Sequence, residues 1–129
     1  MEFIYDTSKK GLETVMKDYQ AICLWYVWEK GERGVTTGEA WLYINKILIE
    51  EEKTISRASI IQFLRKMAEK GILKDWERTG KGGHHNVYAP KVDEAGFKEL
   101  IAKKIIGKLL EDFQEETNTA IIKILDKIE

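Results

Sequence analysis

The sequence contains very little cysteine, histidine and proline. A single cysteine, Cys23, excludes an internal disulfide and is typical of the reducing cytoplasm. It lies on an apolar helix face, which indicates a core thiol. The two histidines, His84 and His85, are adjacent, and no Ser/His/Asp, Cys/His or metal-ligand spacing accompanies them. We therefore expect no enzymatic activity, no cofactor and no metal site.

Long apolar runs are also absent. The longest, from Ala21 to Trp28, is far shorter than the roughly 20 residues of a membrane-spanning helix. Residues 1–10 lack the apolar stretch of a signal peptide. We therefore expect a cytoplasmic protein without membrane contact. The 129 residues predict one domain with an appended element.

Charge is distributed unevenly along the chain. Residues 53–91 carry nine Lys and Arg but only three Asp and Glu, whereas the segments on both sides are net acidic. The overall charge of −1 hides this difference. A cationic segment of this size is typical of a surface that binds a polyanion. Chance clustering on a lysine-rich surface is the alternative interpretation.

Apolar residues at helical spacing predict three helices, and period-2 alternation then predicts two strands, ILKDWER and NVYAP. Two further helices follow, so the expected order is α-α-α-β-β-α-α and the fold class mainly α (α+β). The last helix is expected after EETN. Capping residues and glycines give the boundaries: Thr7 or Ser8 before the first helix, Gly31 and Gly34 after it, Thr36 or Thr37 before the second, Ser56 and Gly71 around the third, and Asp93 before the fourth.

The third helix, SRASIIQFLRKMAEKG, has two chemically different faces. At 100° per residue, its large apolar side chains form one face, and Ala58, Gln62 and Arg65 lie opposite. Arg pairs with guanine and Gln with adenine in a major groove, and Ile61 can touch a thymine methyl. An ordinary solvated helix face is the alternative. The core face contains Ile60, Phe63, Leu64 and Met67.

The hairpin tip, TGKGGHH, is loose and polar. Glycines allow positive φ angles and close backbone approach to another surface, and Lys81 with the two histidines supplies donors toward phosphates. The tip is therefore expected to lie against a DNA backbone. A plain flexible hairpin and a metal site at His84 and His85 are the alternatives.

Three stretches, WEKGERGVTTGEAW, SIIQFLRKMAEKGIL and NVYAPKVDEAGF, resemble winged helix-turn-helix repressors of the penicillinase-repressor family. The resemblance covers roughly residues 12–125. It implies a winged helix-turn-helix DNA-binding domain at 1–91, with a two-stranded wing, and C-terminal dimerisation helices at 92–129. The tip is longer and richer in glycine than is usual in the family, and EEEKT places three acids just before the third helix.

Residues and resemblance together predict a sequence-specific transcriptional regulator, a repressor that binds a palindromic operator in double-stranded DNA as a homodimer. A winged-helix module for protein contacts is the alternative. Lys53 is a further candidate phosphate contact. The expected DNA contacts are Arg57, Ser59, Gln62, Arg65, Lys66, Arg78, Lys81 and His84, and the expected dimer contacts are Phe97, Ile101, Ile105, Leu109, Phe113, Ile121, Leu125 and Ile128.

Overall fold

The computed structural model describes residues 5–80 and 83–128. Within them the fold is mainly helical with a small three-stranded antiparallel sheet, which confirms the predicted α+β class. The chain divides into two compact units, Met1–Asp93 and Glu94–Glu129. The elements are α1 (Asp18–Lys30), β1 (Val35–Thr36), α2 (Thr37–Leu48), α3 (Arg57–Glu69), β2 (Leu73–Gly80), β3 (Gly83–Pro90), α4 (Glu94–Asp112) and α5 (Gln114–Ile128).

The first helix begins later than predicted, and the expected cap at Thr7 or Ser8 is wrong. Ser8 instead donates its hydroxyl to Asp6 Oδ1 (2.6 Å), and Gly11–Thr14 form a 3₁₀ turn. The backbone of Lys17 is extended, and its N–H donates to the side chain of Gln20 (3.0 Å), so α1 starts at Asp18. Leu12, Val15 and Met16, which precede this point, are nevertheless buried. The apolar spacing therefore predicted correctly which side of the segment is buried. It did not distinguish a 3₁₀ turn from the first turns of an α-helix.

The predicted caps of the second and third helices are confirmed. Thr36 Oγ1 accepts from Glu39 N (3.2 Å), while Glu39 Oε1 accepts from Thr36 N (3.1 Å), which is a capping box. Ser56 Oγ accepts from Ser59 N (3.1 Å) at the start of α3. Gly71, with φ 78°, follows the end of α3 in the left-handed conformation that glycine favours.

Strand β3 is the central strand of the sheet. It pairs with β2 from Leu73↔Pro90 to Gly80↔Gly83, and with β1 through Val35↔Tyr88 and Thr36↔Val87. Three consecutive residues of β3, 87–89, are buried. The predicted hairpin strands are therefore confirmed. Strand β1 was not predicted, because two residues carry no alternation and its partner lies about fifty residues away.

The Glu94–Glu129 unit consists of α4 and α5, which meet at Phe113. Helix α5 begins at Gln114, so EETN belongs to the helix rather than preceding it. Thr117 is buried there, and its hydroxyl lies 2.8 Å from Phe113 O and 3.1 Å from Leu109 O. Both carbonyls also accept backbone bonds, Leu109 O from Phe113 N and Phe113 O from Thr117 N, so the hydroxyl adds a second contact where the two helices meet. None of the described helices has the length and apolar character needed to cross a membrane.

Gly34→Ala is expected to destabilise the Met1–Asp93 unit strongly. Gly34 has φ 77°, and a Cβ there would lie 2.5 Å from Val87 Cγ1 and 2.9 Å from Trp76 Cη2. Backbone strain of about 1–2 kcal/mol and overpacking of about 1–3 kcal/mol would therefore add to the loss of unfolding free energy. Urea unfolding followed by circular dichroism measures this loss.

Gly71→Ala is the matched control. Its φ of 78° is nearly the same, but no atom lies within 4 Å of its added Cβ. Only the backbone strain of about 1–2 kcal/mol is then expected. Equal losses for the two variants would show that the contacts of Gly34 with β2 and β3 do not restrict its size.

Candidate nucleic-acid interface

Helix α3 buries one face and exposes the other, as its spacing predicted. Ile60, Phe63, Leu64 and Met67 are all buried, and Ile60 and Leu64 have no exposed area. Gln62, Arg65 and Lys66 are exposed, as are Arg57 and Ala58 in the first turn. The residues of α3 that were predicted to read bases, Gln62 and Arg65, are therefore on the solvent side. Their substitution does not open the core.

Ser59, a predicted base contact, is already engaged at the start of α3. Its side chain is half-buried, and its hydroxyl lies 3.0 Å from Ser56 Oγ, the capping oxygen. A hydrogen bond from Ser59 to a base would compete with this pair. The role of Ser59 in DNA contact stays a prediction, and the structure gives it a local role in capping.

The turn before α3 is held by side chains of α2. Asn45 Oδ1 accepts from Ile55 N (2.8 Å), and Asn45 Nδ2 donates to Ile55 O (3.2 Å). Trp41 Nε1 donates to the same carbonyl (3.0 Å). One residue of α2 thus satisfies both backbone groups of Ile55, as a β-ladder partner would. This fixes the entry of the chain into α3.

Lys53, a predicted phosphate contact, is paired within the chain. Its Nζ lies 3.3 Å from Asp18 Oδ2 and 3.5 Å from Glu51 Oε2, and these carboxylates raise its pKa. Glu50, Glu51 and Glu52 all lie in the exposed turn after α2. To bind DNA, the Lys53 ammonium would have to leave two carboxylates for one phosphate. The structure therefore gives little support to the predicted phosphate contact of Lys53.

A groove of about 320 Å³ brings α2, α3 and β3 together. It runs between the first turn of α2, the outward edge of α3 and the second half of the hairpin. Arg57 and Arg65 contribute two positive charges from α3. The lining residues are Thr36, Thr37, Gly38, Arg57, Ile61, Arg65, His85, Asn86 and Tyr88. The groove therefore joins the predicted reading face of α3 to the hairpin.

The start of α2 strengthens the positive character of this groove. The N-terminal N–H groups of a helix point outward and carry partial positive charge. Glu39 sits in this turn, and Arg33 pairs with it through Nη2 and Oε2 at 2.6 Å. Although partial burial acts to raise the pKa of Glu39, hydrogen bonds from Arg33 and Thr36 leave it below its ordinary value. Glu39 is thus ionised at neutral pH and its charge is compensated.

The hairpin places its polar residues on two faces. By strand alternation Arg78 and His85, which pair across the ladder, share a face with Trp76 and Val87. Asn86, opposite Glu77, lies on the face of the buried Tyr88. His84 is the register partner of Thr79, and Lys81 lies outside the described residues. Arg78 and Asn86 therefore project to opposite sides of the sheet.

Five groove residues, Thr36, Thr37, Gly38, Asn86 and Tyr88, were not among the predicted DNA contacts. The groove is assembled from three elements that are distant in sequence, and no local pattern marks its lining. Asn86 could have been identified as a candidate from the sequence, because it is an amide at the start of an otherwise apolar strand segment.

Cys23 has the environment of a core residue, as predicted. It has no exposed area, and burial raises its pKa to about 12. The thiol is therefore protonated at neutral pH and unsuited to act as a nucleophile. Over residues 5–80 and 83–128, no group of three or more His, Cys, Asp or Glu residues is arranged to hold a metal ion.

The predicted dimer contacts divide into two sets. Phe97 and Ile101 are buried in the single chain and so do not belong to an exposed apolar surface. Ile105 and Ile121 are half-buried, while Leu109, Phe113, Leu125 and Ile128 are exposed. An almost wholly apolar groove of about 550 Å³ lies in this unit and is lined by Ile106, Leu109, Phe113, Glu116, Thr117, Ala120, Ile121, Ile124 and Leu125. Ile106 and Ile124 had not been predicted as part of it.

Ile60→Ala and Arg65→Ala are expected to separate the two faces of α3. Truncation of the fully buried Ile60 should cost about 2–5 kcal/mol of unfolding free energy, because it leaves a cavity. Arg65→Ala removes an exposed side chain and should change stability by no more than about 0.5 kcal/mol. Urea unfolding of both variants checks this. A large loss for Arg65→Ala would contradict the assignment of the outward face.

The three stretches that resemble the penicillinase-repressor family lie on the elements described above, at α1–α2, α3 and β3–α4. No protein-family model matches the chain, and no curated protein matches it. The resemblance therefore stays a prediction, and the function is argued from the groove, the exposed face of α3 and the apolar surface of α4 and α5.

Proposed function

We propose that this chain is a sequence-specific DNA-binding transcriptional regulator, a repressor that binds a palindromic operator as a homodimer. In this proposal the Met1–Asp93 unit is a winged helix-turn-helix domain, with α3 as recognition helix and the β2–β3 hairpin as wing. The observation that carries the proposal is the exposed face of α3. Arg65 and Gln62 lie on it, beside Lys66, while every large apolar residue of the core face is buried.

The exposed face of α3 has the groups that read base edges in a major groove. The planar guanidinium of Arg65 can donate two hydrogen bonds to guanine O6 and N7, and the Gln62 amide pairs with adenine N6 and N7. Ala58 is small and exposed one turn earlier, so it leaves room for the helix to approach the bases. In the described part of the chain, no ion pair involves Arg65 or Lys66.

The groove beside α3 supplies contacts to the DNA backbone. Arg57 and Arg65 line it together with the first turn of α2, where outward N–H groups favour an anion. Phosphate contacts of this kind fix the register of a protein on the duplex, and base contacts then supply specificity. The hairpin adds His85 and Asn86 to this groove, whereas Arg78 projects from the side of the sheet opposite Asn86. The basic balance of residues 53–91 suits this role.

A protein-interaction module is the second candidate, and one feature of α2 favours it. Leu42 of α2 is 64% exposed, and Ile49, in the turn directly after α2, is 59% exposed. Exposed apolar side chains of this size are common at protein interfaces. Retention on heparin that falls steeply with salt would favour DNA binding, because a protein contact does not require a cationic surface.

The homodimer is proposed from the apolar groove between α4 and α5. Its lining is almost entirely aliphatic and aromatic, and several of its side chains are more than a third exposed. Ion pairs at i and i+4, such as Lys103–Glu99 and Lys108–Asp112, lie along α4 and keep other parts of its surface polar. A two-fold interface uses the same patch on both copies. Each copy would then present one α3 to one operator half-site.

Selection of bound sequences from random duplex DNA is expected to yield a palindrome. Arg65→Ala and Gln62→Ala should each relax one position of the half-site, with a loss of about 1–3 kcal/mol in discrimination against the wrong base. Both positions are exposed, so the melting temperature should change little.

Lys103→Ala is the control, since it removes an exposed lysine of α4 and should leave the selected sequence unchanged. Failure of the wild-type chain to enrich any sequence would reject the proposed regulator. If enrichment occurs but both α3 variants keep full base preference, α3 is not the reading helix.

Ile124→Glu is expected to convert the dimer to a monomer of 15.0 kDa in sedimentation velocity. Ile124 lines the apolar groove and is 58% exposed, so a buried charge at the interface is the only large cost of the change. Ile122→Glu is the matched control. Ile122 is 59% exposed but does not line the groove, so this variant should remain dimeric. A monomeric wild-type chain at tens of micromolar would contradict the proposal.

A further inference from the structure

The first residue of α3, Arg57, stacks on an aromatic ring of α2. Its guanidinium carbon lies 5.0 Å from the centroid of the Trp41 ring, which is within the range of a cation–π contact. Arginine remains charged at all physiological pH values. In the part of the chain that the structure describes, no carboxylate forms an ion pair with Arg57. Its charge is therefore available to an external anion.

Hydrogen bonds to the turn before α3 hold the Trp41 ring in place. Its Nε1 donates to Ile55 O (3.0 Å), and Asn45 Nδ2 donates to both Ile55 O (3.2 Å) and Trp41 O (2.9 Å). Trp41 is half-buried, so one part of the indole anchors the turn and the other supports Arg57. The support is thus attached to α2 and does not depend on the ligand.

Arg57 lies between this ring and the start of α2. Its Nη2 would be 3.4 Å from a Cβ at Gly38, so the guanidinium rests against the first turn of α2, where glycine leaves space. Arg57 also lines the groove that contains Arg65 and Asn86. A long side chain that is otherwise flexible is therefore confined to the mouth of this groove.

We propose that Trp41 is a positioning residue, which holds the Arg57 guanidinium ready to bind a backbone phosphate of DNA. This inference rests on the proposed DNA-binding function and assigns one of its contacts. Confinement of the side chain before binding reduces the entropy that is lost when the contact forms. Trp presents the most favourable ring for such a contact. At an exposed site, loss of the ring should weaken binding about two- to fivefold.

The experiment is a double-mutant cycle on binding to a mixed-sequence DNA duplex. Fluorescence anisotropy at several salt concentrations gives both Kd and the slope of log K against log salt. Arg57→Ala should flatten the slope by about 0.9, because one phosphate contact is lost. Trp41→Met should weaken binding about two- to fivefold with little change in slope, since the charge remains. In the Arg57→Ala background, Trp41→Met should have no further effect.

Trp41→Phe separates positioning from a structural role. It keeps a ring under Arg57 but loses the N–H bond to Ile55 O, which Asn45 still holds. We expect Trp41→Phe to retain most of the affinity that Trp41→Met loses. If both variants weaken binding equally, and still do so without Arg57, Trp41 acts only through the turn and the proposal is rejected.

Two further outcomes keep the inference separate from the proposed function. If wild-type protein binds the duplex and Arg57→Ala binds equally well with the same slope, the DNA-binding function stands and the role of Arg57 and Trp41 is rejected. If wild-type protein does not bind, both are rejected. Should Trp41→Met fail to fold, Arg57→Lys replaces it. That variant keeps the charge without the planar fork, so it should weaken binding at an unchanged slope, and unchanged affinity would overturn the proposal.

Discussion

The burial of one face of α3 is the constraint on which the remaining structure depends. Ile60, Phe63, Leu64 and Met67 form the side of α3 that enters the core. Because side chains of a helix repeat every 3.6 residues, this burial also determines which residues point to solvent. Gln62 and Arg65 have no other direction available. The stability of the unit and the composition of its outer face are thus set by the same helix phase.

The surroundings of α3 depend on contacts that are distant in sequence. Asn45 and Trp41 of α2 bind the backbone of Ile55, and this fixes where α3 begins. Strand β3 pairs with β1 and β2 and carries the buried Tyr88, and its neighbouring residue Asn86 lines the groove. The groove beside α3 therefore depends on the hydrogen bonds of α2 to Ile55 and on the pairing of β3 with both β1 and β2.

The positive charge of residues 53–91 is partly compensated by acidic side chains that precede this segment. Lys53 pairs with Asp18, and Lys74 Nζ lies 2.7 Å from Glu32 Oε2. Exposed pairs of this kind contribute little to stability. Among the described basic residues of α3, Arg57, Arg65 and Lys66 form no such ion pair, so their charge stays uncompensated. The net charge of the segment alone could not distinguish these positions.

The sequence alone determined the five helices, the hairpin, the caps at Thr36 and Ser56, and the two faces of α3. Each of these lies within one continuous stretch of the chain, where periodicity and side-chain type indicate the local structure. The start of α1 was missed because a 3₁₀ turn and a helix bury apolar residues at similar spacing. Tertiary structure alone decided strand β1, the pairing of Lys53, the stacking of Arg57 on Trp41, and the groove with Asn86. Those features join residues that are far apart in the chain, and their partners are defined only once α2, α3 and β3 have packed.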